Sequence, residues 1–179
     1  TRKPLIVMTP KSLLRHKMSV SPISELSSGR FELIIPEIEA IEVKQTRRLV
    51  FCSGKVYFDL LEAREVHGIK DVALIRLEQL YPFAIDDYAD LIKQYNHVED
   101  IVWCQEEPLN QGAWYQIKHR LQEPLQSHQQ LYYAGRPGAA APACSARSSA
   151  SHPSPSPVRI SSTFPTFAST TTTALPSSY

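Results

Sequence analysis

The chain has 179 residues, of which 42% are hydrophobic and 21% are charged, and 19 Lys and Arg against 18 Asp and Glu give a formal net charge of +1. This length suffices for one domain with its own core, and the near balance of charge argues against a general nucleic-acid binder and against a polybasic membrane anchor. No uninterrupted apolar run exceeds five residues, far short of the ~18 that a membrane span needs.

Residues 1–46 carry mixed structural signals. Leu5–Met8 predicts a short strand, Pro10–Arg15 predicts a helical turn, and Phe31–Ile35 predicts an extended piece. The chain begins at Thr1 and opens almost directly on a strand-like run. We therefore interpret residues 1–46 as a connector from a preceding domain, and we expect the chain to be an interior piece of a longer protein.

Two groups of charged side chains in this connector are expected to be solvated. Lys11, Arg15 and His16 fall at helical spacing and form a small basic face. The second group is an acidic face, formed by Glu32, Glu37, Glu39 and Glu42. Neither pattern by itself predicts a binding site.

Four continuous apolar runs follow at a near-regular spacing. Continuous rather than alternating apolar character is typical of a strand that is buried on both faces, as in parallel sheets. The runs start 23, 29 and 30 residues apart, which leaves room for a helical crossover between successive parallel strands. They are Leu49–Cys52, Val72–Ile75, Ile101–Cys104 and Leu131–Ala134.

The segments between these runs predict three helices. Ser53 is expected to cap the first helix, which ends near Gly68. The second covers about Ile85–Tyr95 and has two Asp residues in its first turn, where the helix dipole favours them. Asn110 is expected to cap the third. The alternation of strands and helices indicates an α/β domain over residues 47–143, with a mostly parallel sheet and helices on both faces.

The junction of the first strand and the first helix is a candidate anion site. Backbone N–H groups at a helix start attract anions, Gly54 allows close approach of the backbone, and Ser53 and Lys55 add a hydroxyl and a charge. Arg47 or Arg48 would add a second cation if it turned that way. The G-x-x-x-x-G-K-[ST] and G-x-G-x-x-G spacings are absent, and an ordinary capped helix with a surface lysine remains the alternative.

The remaining candidates for catalysis are weak. Glu106 and Glu107 could act as acid and base if one were desolvated, but adjacent residues point in different directions and Pro108 enforces an extended turn, which favours a structural role. No G-x-S-x-G elbow and no His and Cys cluster with metal-ligand spacing occurs. The residues therefore predict no catalytic set and no metal ligands.

The three cysteines form no short-range pairing pattern. Cys52 and Cys104 each close an apolar run, where a reduced cysteine behaves as a small hydrophobe, and Cys144 lies near the C-terminus. We expect free thiols in a reducing compartment rather than a disulfide.

The composition changes sharply towards the C-terminus. No Asp or Glu follows Glu123, and residues 139–179 contain 11 Ser, 6 Thr, 6 Pro and 8 Ala. Such a segment has little apolar mass to offset the entropy of ordering, so residues 144–179 are expected to form a disordered tail.

Several stretches of residues 3–143, in order, closely resemble the C-terminal portion of the thiamine-diphosphate-dependent component of the 2-oxoglutarate dehydrogenase complex. The Pro108–Trp114 stretch is similar to the bacterial form of this family. The matching stretches are Pro4–His16, Cys52–Tyr57, Arg76–Phe83, Trp103–Trp114, Tyr133–Arg136 and Ala141–Ala143.

The resemblance implies a transketolase C-terminal-like domain. Family members decarboxylate 2-oxoglutarate on thiamine diphosphate and Mg²⁺ and pass the succinyl group to the lipoyl arm of an acyltransferase component, and they work as homodimers in the tricarboxylic acid cycle. Their cofactor is held in preceding domains by a G-D-G…N-N motif. This chain has no G-D-G, so no catalytic or cofactor-binding residue carries over.

In relatives this domain supports dimer contacts and binds effector anions such as acetyl-CoA or AMP, which strengthens the candidate site at Ser53 and Lys55. The resemblance also implies a cytoplasmic protein in a bacterium, or one of the mitochondrial matrix in a eukaryote. We thus expect a domain fragment that is inactive alone. The alternatives are an anion- or nucleotide-binding regulatory and assembly module, and a non-functional remnant.

The C-terminal tail departs from the family, whose members continue with a final helix. Residues 144–179 offer no apolar period for such a helix. The abrupt change beside an intact match leads to the hypothesis of a shifted reading frame, which translation of the neighbouring frames of the coding DNA would test.

Overall fold

The computed structural model describes residues 2–140, in which one sheet of five strands carries helices on both faces. The predicted α/β class is confirmed. The strands are β1 (Ile34–Ile35), β2 (Arg48–Cys52), β3 (Val72–Leu77), β4 (Asp100–Pro108) and β5 (Gln130–Arg136). The α-helices are α1 (Ile23–Ser28), α2 (Val56–Val66), α3 (Ile85–Gln94) and α4 (Trp114–Gln122). Short 3-10 helices cover Lys11–Arg15 and Val43–Gln45.

The four predicted apolar runs are the four parallel strands, and the strand order is β1-β3-β2-β4-β5. β2 lies at the centre, where Cys52 is in register with Arg76 of β3 and with Cys104 of β4. The predicted extended piece before the domain contributes β1, which pairs antiparallel with β3 through Ile34 opposite Leu77. All the strand-to-helix turns after the parallel strands therefore lie at one edge of the sheet, the carboxyl edge.

The core has two layers because successive residues of a strand point to opposite faces of the sheet. On one face, strand side chains pack against α3 and α4, and on the other face they pack against α2. The fully buried side chains of the first layer include Leu49, Phe51, Ile75, Tyr88, Ile101, Trp103 and Leu121. The second layer includes Val50, Cys52, Tyr57, Leu61, Leu74 and Cys104.

Neither predicted side-chain cap is present. α2 begins at Val56 after a turn in which Gly54 has a φ of +73°, and its N-terminus has no side-chain cap from Ser53. α4 begins at Trp114, also without a side-chain cap from Asn110. Asn110 instead exchanges two hydrogen bonds with the backbone of Ala139, at 3.0 and 2.9 Å. The cap predictions were wrong because Ser53 and Asn110 lie in or beside turns that end before the helices begin, at Val56 and at Trp114.

The predicted strand at Leu5–Met8 is wrong for the described residues. These four side chains are 66–90% exposed, and the segment pairs with no strand of residues 2–140. An apolar run becomes a strand only when a neighbouring strand completes its hydrogen bonds, and no such neighbour is present here. The helical turn predicted at Pro10–Arg15 is confirmed as the 3-10 helix at Lys11–Arg15.

Glu37 does not belong to the solvated acidic face that the sequence predicts. Its side chain is 5% exposed and forms an ion pair with Arg64 of α2, whose side chain is 7% exposed. The same carboxylate accepts the backbone N–H of Leu74 in β3 at 2.7 Å. The segment after β1 is therefore anchored to both α2 and β3.

Three predictions about the domain organisation are not tested. The tail predicted at residues 144–179 and the end of the domain at residue 143 lie outside the described residues. The start of the domain at residue 47 also stays a prediction, and β1 and Glu37 show that the preceding segment packs on the same sheet. No helix among residues 2–140 is long and apolar enough to cross a membrane.

Candidate functional site at the carboxyl edge of the sheet

The predicted anion-binding turn lies at the carboxyl end of β2. Gly54 is exposed, adopts a left-handed φ of +73°, and would have open space around an added Cβ. Lys55 donates a hydrogen bond to Asp59 at 2.6 Å, and this bond raises the pKa of Lys55. The turn is thus open to solvent, but its lysine already has an acidic partner.

Arg48 is not brought together with the other predicted site residues. It starts β2, whereas Ser53 follows the end of that strand, so their Cα atoms are roughly 16 Å apart at ~3.3 Å per residue. The Arg48 guanidinium donates to Asp100 of β4, with Nε–Oδ2 at 3.1 Å. Arg47 lies at the same amino edge and donates to Asp71 at 2.8 Å.

Arg76 supplies a cation at the carboxyl edge that the sequence prediction missed. It lies beside Cys52 in the sheet register, and its guanidinium lies 4.5 Å from the ring centroid of Tyr57 in the first turn of α2. Glu78 is its ionic partner, with Nε–Oε1 at 3.5 Å. The sequence signal was available, because an arginine directly follows the apolar run of β3 and so must lie near its carboxyl end.

The basic face predicted in the connector lies close to this turn. The ring of His16 packs on Phe58 of α2 at a centroid distance of 5.5 Å, while Lys11, Arg15 and Lys17 are exposed. Residues 2–24 hold five Lys and Arg and no Asp or Glu, whereas residues 25–140 hold 12 Lys and Arg against 18 Asp and Glu. A basic segment therefore borders the predicted anion site.

Two free thiols lie beneath the carboxyl edge. Cys52 and Cys104 are buried, in register on adjacent strands, and on the same face of the sheet. Burial raises the pKa of Cys104 to about 11 and raises that of Cys52 further, with the neighbouring Cys104 thiol adding to the rise. Both thiols are therefore protonated and unreactive at neutral pH.

A buried glutamine organises the turn from β4 to α4, and sequence reasoning missed it. Gln105 accepts the indole N–H of Trp103 at 2.9 Å and the backbone N–H of Trp114 at 3.1 Å. Its amide donates to the carbonyl oxygen of Gln111 at 2.7 Å. A Cβ added at Gly112, where φ is +69°, would lie 2.9 Å from this amide nitrogen. The sequence signal that could have revealed this role is a glutamine directly after an apolar run that contains a tryptophan.

The paired glutamates of this turn serve through their backbone. The side chains of Glu106 and Glu107 are exposed, and the Glu106 carbonyl oxygen accepts Nε–H of Arg136 at 2.8 Å. The Glu107 carbonyl oxygen accepts the hydroxyl of Tyr133 at 3.3 Å. These contacts join β4 to β5 and fit the structural role that the sequence favours.

The described residues do not fit the thiamine diphosphate and Mg²⁺ that the resemblance implies. Among residues 2–140, no three His, Cys, Asp or Glu side chains lie together in a group that could hold a metal ion. The G-D-G motif is also missing from the sequence. No step of a thiamine-dependent reaction is assigned to these residues.

Comparison with known proteins gives a consistent result. A family model described as 2-oxoglutarate dehydrogenase C-terminal matches residues 20–154. The chain is 54% identical over 142 residues to the 2-oxoglutarate dehydrogenase E1 component of Haemophilus influenzae, covering 79% of this chain and 15% of that protein. It is 48% identical over 146 residues to the E1 component of Azotobacter vinelandii, covering 80% and 16%. The chain spans only these small shares of the relatives' length.

Proposed function

Because the chain belongs to the 2-oxoglutarate dehydrogenase C-terminal family, we propose that it supplies the C-terminal α/β region of a 2-oxoglutarate dehydrogenase E1 component. One observation carries the proposal: the match covers 79% of this chain at 54% identity and includes the parallel sheet described above. In this proposal the region takes part in oxidative decarboxylation of 2-oxoglutarate only together with the remainder of the enzyme.

The partners follow from the same proposal. The remainder of the E1 chain would hold thiamine diphosphate and Mg²⁺, a second copy would complete a homodimer, and a lipoyl acyltransferase component would accept the succinyl group. The compartment would be the bacterial cytoplasm, or the mitochondrial matrix in a eukaryote. Because the sequence has no G-D-G motif, the isolated chain is expected to be inactive.

A chimeric enzyme tests this proposal. This chain replaces the matched region of the Haemophilus influenzae E1 component, and 2-oxoglutarate oxidation is measured with an artificial electron acceptor. We expect activity within about tenfold of the relative, while the relative without any C-terminal region serves as the inactive control. An inactive, misassembled chimera contradicts the proposal. Calorimetry that shows thiamine diphosphate bound by the isolated chain contradicts the expected inactivity.

A second function, effector binding, is favoured by the open turn at Gly54. The turn combines a left-handed glycine with free space, the start of α2 and the neighbouring Lys55 and Arg76. Acetyl-CoA and AMP both carry phosphates, which suit a helix start and nearby cations. We place this site at Ser53–Lys55 and leave out Arg48, which lies at the opposite edge.

Titration of the chain with AMP or acetyl-CoA tests effector binding. The double variant Ser53→Ala/Lys55→Ala should weaken binding at least tenfold because it removes one hydroxyl and one charge from the turn. Lys93→Ala is the matched control, since Lys93 is also paired with a nearby aspartate, Asp90, but lies on α3. Equal affinity of the double variant and the control rejects this placement.

The remaining alternative, a non-functional remnant, makes a different prediction. A remnant that cannot complete its fold would expose apolar surface and aggregate. Cooperative thermal unfolding of a monomer in solution would exclude this alternative.

A further inference from the structure

Three residues attach the N-terminal segment to the α/β domain. Residues 2–32 are exposed except for Leu13, His16 and Met18, which are half-buried. Leu13 and Met18 pack against the second layer of the core, and the His16 ring packs on Phe58 of α2 at a centroid distance of 5.5 Å. We call this contact the N-terminal clasp. His16 is the one titratable residue among these three.

The His16 ring accepts a hydrogen bond that only the neutral ring can accept. Its Nδ1 accepts the backbone N–H of Met18 at 3.3 Å, so the proton of the neutral ring lies on Nε2. The rings of His97 and His128 instead donate from Nε2 to backbone carbonyl oxygens, at 3.0 and 2.7 Å. Protonation makes both ring nitrogens donors. It therefore leaves the bonds of His97 and His128 intact and removes that of His16.

The surroundings of the His16 ring offer no counter-charge to a protonated ring. Among residues 2–140, no carboxylate lies within ion-pair distance of His16. The guanidinium of Arg76 lies 6.0 Å from the centroid of the Phe58 ring, on which His16 packs. The other charged groups near the clasp are the cations of its own segment, the paired or exposed groups of α2 close to Phe58, and the acidic partner of Arg76. They are Lys11, Arg15 and Lys17; Lys55 paired with Asp59, and Glu62; and Glu78.

We propose that the N-terminal clasp is a pH-sensitive switch, which holds residues 2–32 on α2 while His16 is neutral and releases them when His16 takes up a proton. Histidine is the side chain that ordinarily changes its charge between pH 5 and 8, so the switch acts in this range. In the protonated state Nδ1–H and the Met18 N–H are two donors that face each other, and the Met18 amide loses its acceptor. Glu37 keeps the following residues on the sheet, so the release is confined to the N-terminal segment.

Nuclear magnetic resonance of the ¹⁵N-labelled chain tests the switch. The backbone order parameters of Leu13 and Met18 should fall from about 0.85 at pH 7.5 to below about 0.6 at pH 5.0, while those of β2 stay near 0.85. The fall should coincide with the titration of the His16 ring, which its ring-proton shifts report in the same samples. A clasp that stays ordered after His16 has become charged overturns the proposal, and so does a His16 ring that is still neutral at pH 5.0.

Two variants separate the hydrogen bond from other effects of acid. The side-chain oxygen of an asparagine can accept the Met18 N–H two residues on but has no charged form, so His16→Asn should keep the clasp ordered at pH 5.0. His128→Asn is the matched control and should respond to pH like the unmodified chain, because His128 lies outside the clasp and its ring donates. An equal fall in His16→Asn and in the unmodified chain overturns the proposal. If His16→Asn is loose at both pH values, the coincidence of order and His16 titration in the unmodified chain decides.

Discussion

Glu37 shows how a single side chain can hold a connecting segment against a sheet. Its carboxylate receives two hydrogen bonds from the Arg64 guanidinium and one from the backbone of Leu74, and both charged side chains are almost fully buried. Arg64 also donates to the carbonyl oxygen of Val72 at 3.1 Å. Removal of either charge therefore leaves the other buried without its partner. This loss of folding free energy is larger than the net stabilisation that the intact pair provides.

Glu37→Ala should lower the free energy of unfolding by about 3–5 kcal/mol, because Arg64 and the Leu74 amide lose their acceptor. Glu39→Ala is the control and should change stability by less than about 0.5 kcal/mol, since Glu39 is exposed. Urea unfolding followed by circular dichroism measures both. The double variant Glu37→Leu/Arg64→Met should be more stable than Glu37→Ala, and equal stability of Glu37→Ala and Glu39→Ala would contradict the buried pair.

At the scale of elements, the turn from β4 to α4 depends on a match between Gln105 and Gly112. The side-chain oxygen of Gln105 accepts hydrogen bonds from the indole of Trp103 and from the backbone N–H of Trp114. The same side chain fills the space in which a Cβ at Gly112 would lie. The turn thus substitutes for a helix cap: α4 starts because its first N–H has a fixed acceptor in the preceding strand.

Gly112→Ala should destabilise the domain more than Gly68→Ala. Both glycines have a left-handed φ, +69° and +61°, which costs a non-glycine residue about 1–2 kcal/mol. Only at Gly112 must Gln105 also move, which adds about 1–3 kcal/mol, because Gly68 has open space. Urea unfolding gives the comparison. In a Gln105→Ala background the difference should shrink, and an unchanged difference would show that Gln105 is not its cause.

The sequence predicts the four parallel strands and the three crossover helices because burial on both faces leaves a continuous apolar run. It does not predict the partner of a polar residue. Glu37 and Gln105 appear exposed or neutral in a linear pattern, and only the fold brings Arg64 and Trp114 to them. The same limit explains Arg48. It is close to Ser53 in the sequence, but the extended strand between them places the two residues at opposite edges of the sheet.

At the scale of the whole molecule, the two core thiols make the free energy of unfolding depend on pH in the alkaline range. Burial raises the pKa of Cys104 from 9.0 to about 11, so the folded chain keeps a proton that the unfolded chain loses. The contribution of this thiol to the free energy of unfolding is complete below pH 9 and is lost as the pH rises towards 11. Cys52 shifts in the same direction.

The free energy of unfolding should therefore fall between pH 9 and 11, by up to about 1.4 kcal/mol per pH unit for each thiol. Urea unfolding at pH 8, 9 and 10 measures this dependence. The double variant Cys52→Ala/Cys104→Ala should show a shallower fall, with Cys144→Ala introduced in all proteins to remove the third thiol. Equal slopes with and without the core thiols would contradict the assignment.

The separation of charge between the N-terminal segment and the rest of the chain affects how the protein migrates and is purified. A formal charge of +1 predicts weak retention on any ion exchanger near neutral pH. Residues 2–24 hold five cations and no acid, whereas residues 25–140 hold an excess of six acids, so the two regions carry opposite net charge. The protein should therefore be retained by both cation- and anion-exchange resins at low salt, each resin binding the region of opposite charge.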